Sequence, residues 1–336
     1  MAPTPRSHAA RPCEEAPWPE NPVLVEVRRS GFLESVHRGA LVVLDAAGQV
    51  TFAAGAVDRP TLPRSANKPV QATAYLAAGW VPRSAEELAI GAGSHSGEGG
   101  HRELAASMLT AAGLGPDDLG CPPALPQHEP TKAAWLVAGR APERLAMNCS
   151  GKHAAMLAAC VAAGWPTEGY LHRDHPLQRS IEARLGDAAG EPVTAVVVDG
   201  CGAPQHALSV TGLARGVLSL VQAADGTPDR SVADAMRARP WYVAGTGRED
   251  TELMAAIPGL LVKGGADGVH VAALPGRGAV ALKLDDGGER GRTPALSAAL
   301  LRLGVPEDQL ASWLQTPVPG GDSVVGQVRA AAFLNH

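Results

Sequence analysis

Short β-type apolar runs occupy both ends of this chain, and helical patterns fill the stretch between them. Near the start stand Val23-Leu24-Val25-Glu26-Val27, then Gly39-Ala40-Leu41-Val42-Val43-Leu44-Asp45 and, after a turn at Ala47-Gly48, Val50-Thr51-Phe52-Ala53. The second and third of these read as a β-hairpin. Toward the other end, residues 260–263 and 279–284 read as strands, with a weaker one at 269–274. Helices are predicted over 66–78, 85–89, 100–112, 132–138, 152–163 and 176–185, and again over 294–303 and 306–314. This order predicts an α+β domain whose sheet combines the two ends of the chain. The run Val193 to Val198 reads as a buried strand that delivers Asp199-Gly200-Cys201 to its C-terminal edge.

Of the 336 residues, 45% are hydrophobic but only 4% aromatic, so the core must be built mainly from Ala, Val and Leu. Apolar content is too high and the net charge of −5 too small for a disordered chain. No Lys/Arg run is interleaved with aromatics, which argues against nucleic-acid binding. Residues 1–21 carry Pro3, Pro5, Pro12, Pro17 and Pro19 and no apolar segment of signal-peptide type. They are expected to form a flexible tail on a cytoplasmic protein, with one catalytic domain over 22–336. The longest apolar run, 154–165, is far short of the roughly 20 residues a bilayer needs, so no membrane span is expected. Cysteines at 13, 121, 149, 160 and 201 are odd in number and make a disulfide framework unlikely in a chain of this kind. Cys160, inside an alanine-rich helix, reads as a small buried hydrophobe.

Four segments carry residues suited to chemistry. Arg64-Ser65-Ala66-Asn67-Lys68-Pro69 holds a Ser and a Lys three apart, a spacing that puts both on one face of a helix within hydrogen-bond reach. Pro69 is tolerated only in a first helical turn, so Ser65 is expected at a helix N-terminus, where exposed N–H groups favour a developing oxyanion. Gly91-Ala92-Gly93-Ser94-His95-Ser96-Gly97-Glu98-Gly99-Gly100 is a loop whose glycines let backbone approach a ligand. Asn148-Cys149-Ser150-Gly151-Lys152-His153 opens a helix and, with Cys201, supplies two thiolates and an amine or imidazole one turn away, a set that suits tetrahedral zinc. Leu261-Val262-Lys263-Gly264-Gly265 brings a lysine out of a strand into a Gly-rich turn.

Together these segments and their order resemble the Rhizobium-type L-asparaginases, the asparaginase II family. The likeness extends through Glu34-Ser35-Val36-His37-Arg38-Gly39 and Val243-Ala244-Gly245-Thr246-Gly247-Arg248 and leaves out only the first twenty or so residues. The resemblance implies a fold similar to serine β-lactamases and glutaminases, with a central, mainly antiparallel sheet flanked by helices, and a homodimer. It implies two tandem pairs, Ser65 with Lys68 and Ser94 with Lys263, beside a zinc ion held by Cys149, Lys152 and Cys201. Imidazole is the commoner zinc donor, and His153 stays a near-site alternative. Ser96, Gly202 and Asp267 stand where that family more often has Asn, Ser and Glu.

The expected reaction is attack of Ser65, deprotonated by Lys68, on the side-chain amide of asparagine, with Ser94 and Lys263 relaying protons. Which serine is acylated is open. Arg64 and Asp199 are candidates for the substrate's α-carboxylate and α-amino groups by charge complementarity, and His95 and Gly264 are expected to line the same site. A penicillin-recognising acyl hydrolase is the rival enzyme, although Lys263-Gly264-Gly265 replaces its usual Lys-Thr-Gly. A non-catalytic, zinc-stabilised amino-acid-binding protein is the second alternative.

Overall fold

A single long strand, Phe32–Asp45, ties the two ends of the chain together. Its first half pairs with the preceding strand, and its second half with both the following strand and one from the C-terminal third. The computed structural model describes residues 20–335. The strands are β1 Val23–Arg29, β2 Phe32–Asp45, β3 Val50–Ala54, β4 Pro60–Thr61, β5 Ala195–Val198, β6 Pro204–Ser209, β7 Leu261–Gly264, β8 Val269–Leu274, β9 Gly278–Leu284, β10 Gln315–Gly320 and β11 Ser323–Ala330. The helices are α1 Lys68–Ala77, α2 Ala85–Gly91, α3 Gly99–Ala111, α4 Glu129–Val137, α5 Ser150–Ala163, α6 Pro176–Ala189, α7 Val210–Gln222, α8 Pro228–Ala238, α9 Pro240–Val243, α10 Glu249–Ala256, α11 Arg292–Arg302 and α12 Glu307–Leu310.

The main sheet runs β10-β11-β1-β2-β9-β8-β7, with β3 added on β2, and its pairs are antiparallel. It joins N-terminal to C-terminal strands, as the order of apolar runs predicts. α7 packs on β2, β8 and β9, and α11 packs on β8, β9 and β11. With both faces covered, β8 is buried throughout, β9 nearly so, and the Ala40–Leu44 half of β2 buried likewise, so these strands read as apolar runs rather than alternating patterns. A helical layer of α1, α2, α5, α6 and α8 packs alongside. A second sheet, β4-β6-β5, sits apart from the first.

Three expectations change. β5 is not buried: it is an edge strand, with Val197 41% and Val198 79% exposed. The predicted helix over 306–314 shrinks to α12, and the C-terminal hairpin β10–β11 went unpredicted. Pro317 and Pro319 hide β10 in the sequence, yet β10 is the sheet's outer strand, where a missing N–H costs no ladder bond. α7 also went unpredicted, because Val210, Thr211, Gly212 and Gly216 are poor helix formers. The Ser209 hydroxyl caps it by accepting from Gly212 N–H at 2.8 Å, and burial against the sheet decides the rest.

Of the expected tail, Glu20 and Asn21 alone fall among the described residues, and Cys13 lies outside them. Asn21 is buried, donates to Asp285 and accepts from Ala56 N–H. Cys121 and Cys160 are both buried. Among the described residues, no helix is long and apolar enough to cross a membrane.

Candidate active site

Pro69 occupies the second position of α1, and the residues before it, Arg64–Asn67, form a short 3-10 turn that carries Ser65. That turn, the loop after α2, the end of β7 and the loop before α10 converge on one cavity of about 350 Å³. Ser65, Ser94, Asn148, Arg248, Lys263 and Gly264 are among the residues that line it. The expected catalytic groups from the first, second and fourth segments therefore share one polar chamber.

Their pairing differs from the sequence reading. Lys68 is buried and donates to Gly93 O at 2.7 Å, Ser94 Oγ at 2.8 Å and Cys149 Sγ at 3.0 Å. The Ser65 hydroxyl makes no hydrogen bond among the described residues, so the serine that Lys68 contacts here is Ser94 and not the one three positions before it. In the 3-10 turn positions 65 and 68 still share a face, but the Lys68 amine is drawn to Gly93 O, Ser94 Oγ and Cys149 Sγ instead.

Lys263 is also buried, donating to Gly264 O at 2.7 Å and reaching Asp250 Oδ2 at 3.4 Å. Asp250 is itself buried and accepts from Gly264 N–H and from His270 Nε2. Burial, aided by repulsion from Lys68, Arg248 and Arg292, pushes Lys263 from its ordinary 10.5 down to about 8, against the pull of Asp250. The poised amine is thus Lys263. Asp250 went unremarked in the sequence, where a carboxylate thirteen positions before a lysine carries no signal.

Two backbone amides complete this corner. Neither Ser65 N–H nor Ala266 N–H has an acceptor among the described residues, and both residues line the cavity. A Cβ on Gly265 would lie 2.7 Å from Pro63 O and 3.2 Å from Ala66 N, so the two backbones approach too closely for any other residue. Free amides beside a free hydroxyl are the parts an oxyanion hole needs.

The groups nominated for substrate binding are largely spent on one another. Arg64 Nε donates to Asp199 Oδ1 at 2.8 Å, and Arg64 Nη1 is ion-paired with Asp267. Asp199 is held below the usual carboxylate range by Lys152 and Arg64, against its desolvation. Both are thus engaged in ion pairs before any ligand arrives. His95 is a correction too: it is fully buried, its Nε2 lies 3.0 Å from Ser150 Oγ and its Nδ1 accepts from Gly97 N–H. Burial holds this imidazole well below its ordinary range, and it stacks on His101 instead of lining the cavity.

Behind the cavity, Cys149 caps the N-terminus of α5, Lys152 stands one turn along, and Cys201 follows β5. Lys152 Nζ donates to Cys201 Sγ at 3.1 Å. A hydrogen bond from Cys201 and the charges of Lys68 and Lys152 hold the Cys149 thiol well below its ordinary range despite burial; the same bond raises Cys201. Burial works against charge on Lys152, but the two sulfurs outweigh it and hold the amine protonated. Two sulfurs and an amine gathered in a buried pocket fit a zinc ion, which would displace the ammonium proton. Among the described residues no three His, Cys, Asp or Glu side chains gather as a ligand group, and the Lys152 amine, 3.1 Å from Cys201 Sγ, is the third donor beside the two sulfurs. His153 Nδ1 lies 2.6 Å from Tyr170 OH, its Nε2 is buried without a partner, and burial pushes it down to about 4.

Against known proteins, the profile of the L-asparaginase II family matches residues 25–330. No curated protein matches the chain. Among solved structures, a putative β-lactamase from Bacteroides dorei DSM 17855 is 15% identical, with a TM-score of 0.43 over 80% of this chain and 93% of that one. A β-lactamase from Mycobacterium bovis is 14% identical, with a TM-score of 0.41 over 80% of this chain and 95% of that one.

Proposed function

The chain belongs to the L-asparaginase II family, which makes it an amidohydrolase, and on that premise we propose that it hydrolyses L-asparagine to L-aspartate and ammonia through a serine acyl-enzyme. The observation that carries this reading is the shared cavity lined by Ser65, Ser94 and Lys263, with buried Lys68 donating to Ser94 behind it.

Ser65 is the attacking hydroxyl. Its proton passes to the neutral amine of Lys263, its Oγ bonds the amide carbon, and the amides of Ser65 and Ala266 receive the oxyanion. Lys68 spends three N–H bonds on fixed acceptors, the arrangement of an ammonium. Ser94, accepting from Lys68, has its own proton free to give to the departing nitrogen, and Lys68 resupplies it. The C–N bond then breaks and ammonia leaves; water attacks the ester, giving its proton through Ser94 to the now neutral Lys68, and Lys263 returns its proton to Ser65 Oγ as aspartate leaves. The serine–lysine contacts are thus exchanged relative to the pairs the resemblance implies. Catalytic contacts often tighten only with substrate bound, which accommodates the missing Ser65–Lys263 hydrogen bond.

Cys149, Lys152 and Cys201 would hold zinc, whose charge would stabilise the two buried thiolates and, at an open coordination position, orient a substrate group. The same family reading carries a homodimer.

An ammonia-release assay with asparagine, glutamine and a β-lactam tests the function. Release from asparagine supports it. Covalent labelling by penicillin without ammonia release would favour the acyl-hydrolase rival, and asparagine binding without turnover would leave only a binding protein.

A further inference from the structure

Resting on the asparaginase reading, we infer that Arg248 is the residue that binds the α-carboxylate of the substrate and thereby selects α-amino acid amides over simple amides. An amino-acid substrate needs a cation at the cavity, and the nominated one, Arg64, is ion-paired with Asp199 and Asp267 and is not among the residues lining it. Arg292 also lines the cavity but is committed to Glu249, Glu289 and Gly265 O. Lys263 is held by Asp250 and Gly264 and is the proposed base. Arg248 lines the same cavity, is partly exposed, and its side chain makes neither an ion pair nor a hydrogen bond among the described residues.

The loop that carries Arg248 is built to hold it there. Glu98 accepts from Thr246 N–H at 2.9 Å and from Thr246 Oγ at 2.8 Å. Ser96 Oγ donates to Ala244 O at 2.6 Å, and Thr251 Oγ donates to Gly245 O at 2.8 Å. Gly245 and Gly247 both have positive φ, at +114° and +67°, and a Cβ on Gly245 would strike Ser96 and Glu98. The loop after Ser94 therefore positions the loop before α10, which gives Glu98 and Ser96 a purpose outside the reaction itself. A guanidinium presents paired N–H donors to a carboxylate, a geometry that a lysine does not reproduce.

The test compares asparagine with 3-aminopropanamide, which keeps the amide and the amine but lacks the α-carboxylate. Measured for each protein on its alkaline plateau, where Lys263 is neutral and the Arg248 charge no longer sets the fraction of free base, Arg248→Gln is expected to raise KM for asparagine about 10- to 100-fold with kcat much less affected, while leaving kcat/KM for 3-aminopropanamide within about threefold. Arg248→Lys should recover part of the asparagine preference. Aspartate should raise the melting temperature of the wild type and not that of Arg248→Gln. A preference for asparagine unchanged in Arg248→Gln, or an equal loss on both substrates, would overturn the inference while leaving the asparaginase reading intact. A wild type that releases no ammonia from asparagine would instead overturn the reading beneath it.

Discussion

Lys68 Nζ stands 2.8 Å from Ser94 Oγ, although Ser65 precedes that lysine by a single helical turn in sequence. The contact links α1 to the loop after α2 and turns two local motifs into one site. It also distinguishes the two serines, since Ser94 Oγ accepts from Lys68 while the Ser65 hydroxyl makes no hydrogen bond among the described residues.

Ser65→Ala is expected to lower kcat by about 10³-fold or more, because it removes the atom that is acylated. Ser94→Ala should cost less, about 10²-fold, as loss of a proton donor. Both variants should keep the wild-type melting temperature to within a few degrees. Mass spectrometry of the enzyme quenched during turnover should find the acyl group on Ser65; finding it on Ser94 would reverse the two roles.

The pH profile reports on Lys263. A base works only when neutral, and this amine sits near 8, so kcat/KM should rise about tenfold per pH unit up to that value and then level off. Asp250 pulls the value up, so Asp250→Asn should move the rising limb to lower pH. Lys68, Arg248 and Arg292 push it down, so Arg292→Gln should move the limb the other way. A limb that stays in place in both variants would remove Lys263 from the base role.

Metal content checks the thiolate pocket. The purified protein is expected to carry about one zinc per chain by elemental analysis, and Cys149→Ser, Cys201→Ser and Lys152→Ala should each lose most of it. Chelation should lower the melting temperature of the wild type and leave Cys149→Ser unchanged. His153→Ala, with Tyr170 losing a partner, should keep its zinc; loss of the metal there would restore the imidazole as a ligand.

Arg64 and Asp199 form a part-buried ion pair, with side chains 25% and 9% exposed. Arg64→Met and Asp199→Asn should therefore couple in stability by roughly 1–3 kcal/mol in a double-mutant cycle. Arg64→Met should reduce kcat by loosening the turn of Ser65 while changing KM for asparagine by less than about threefold. A hundredfold rise in KM with unaltered stability would return Arg64 to the carboxylate-binding role that charge complementarity suggests.

Sequence by itself determined the parts. Apolar runs at both chain ends required a sheet that joins them, Pro69 fixed the start of α1, and the chemistry of Ser65, Ser94, Lys263 and the cysteine–lysine set was readable as residue types in their segments. Those signals are local: periodicity, ring constraints and helix ends act over a few residues. Tertiary structure decided who touches whom. Lys68 chose Ser94 over Ser65, Arg64 was consumed by Asp199 135 positions away, and Asp250 became the partner of Lys263. Burial then set the charges, since desolvation and neighbouring ions depend on which segments fold together and not on the order of residues along any one of them.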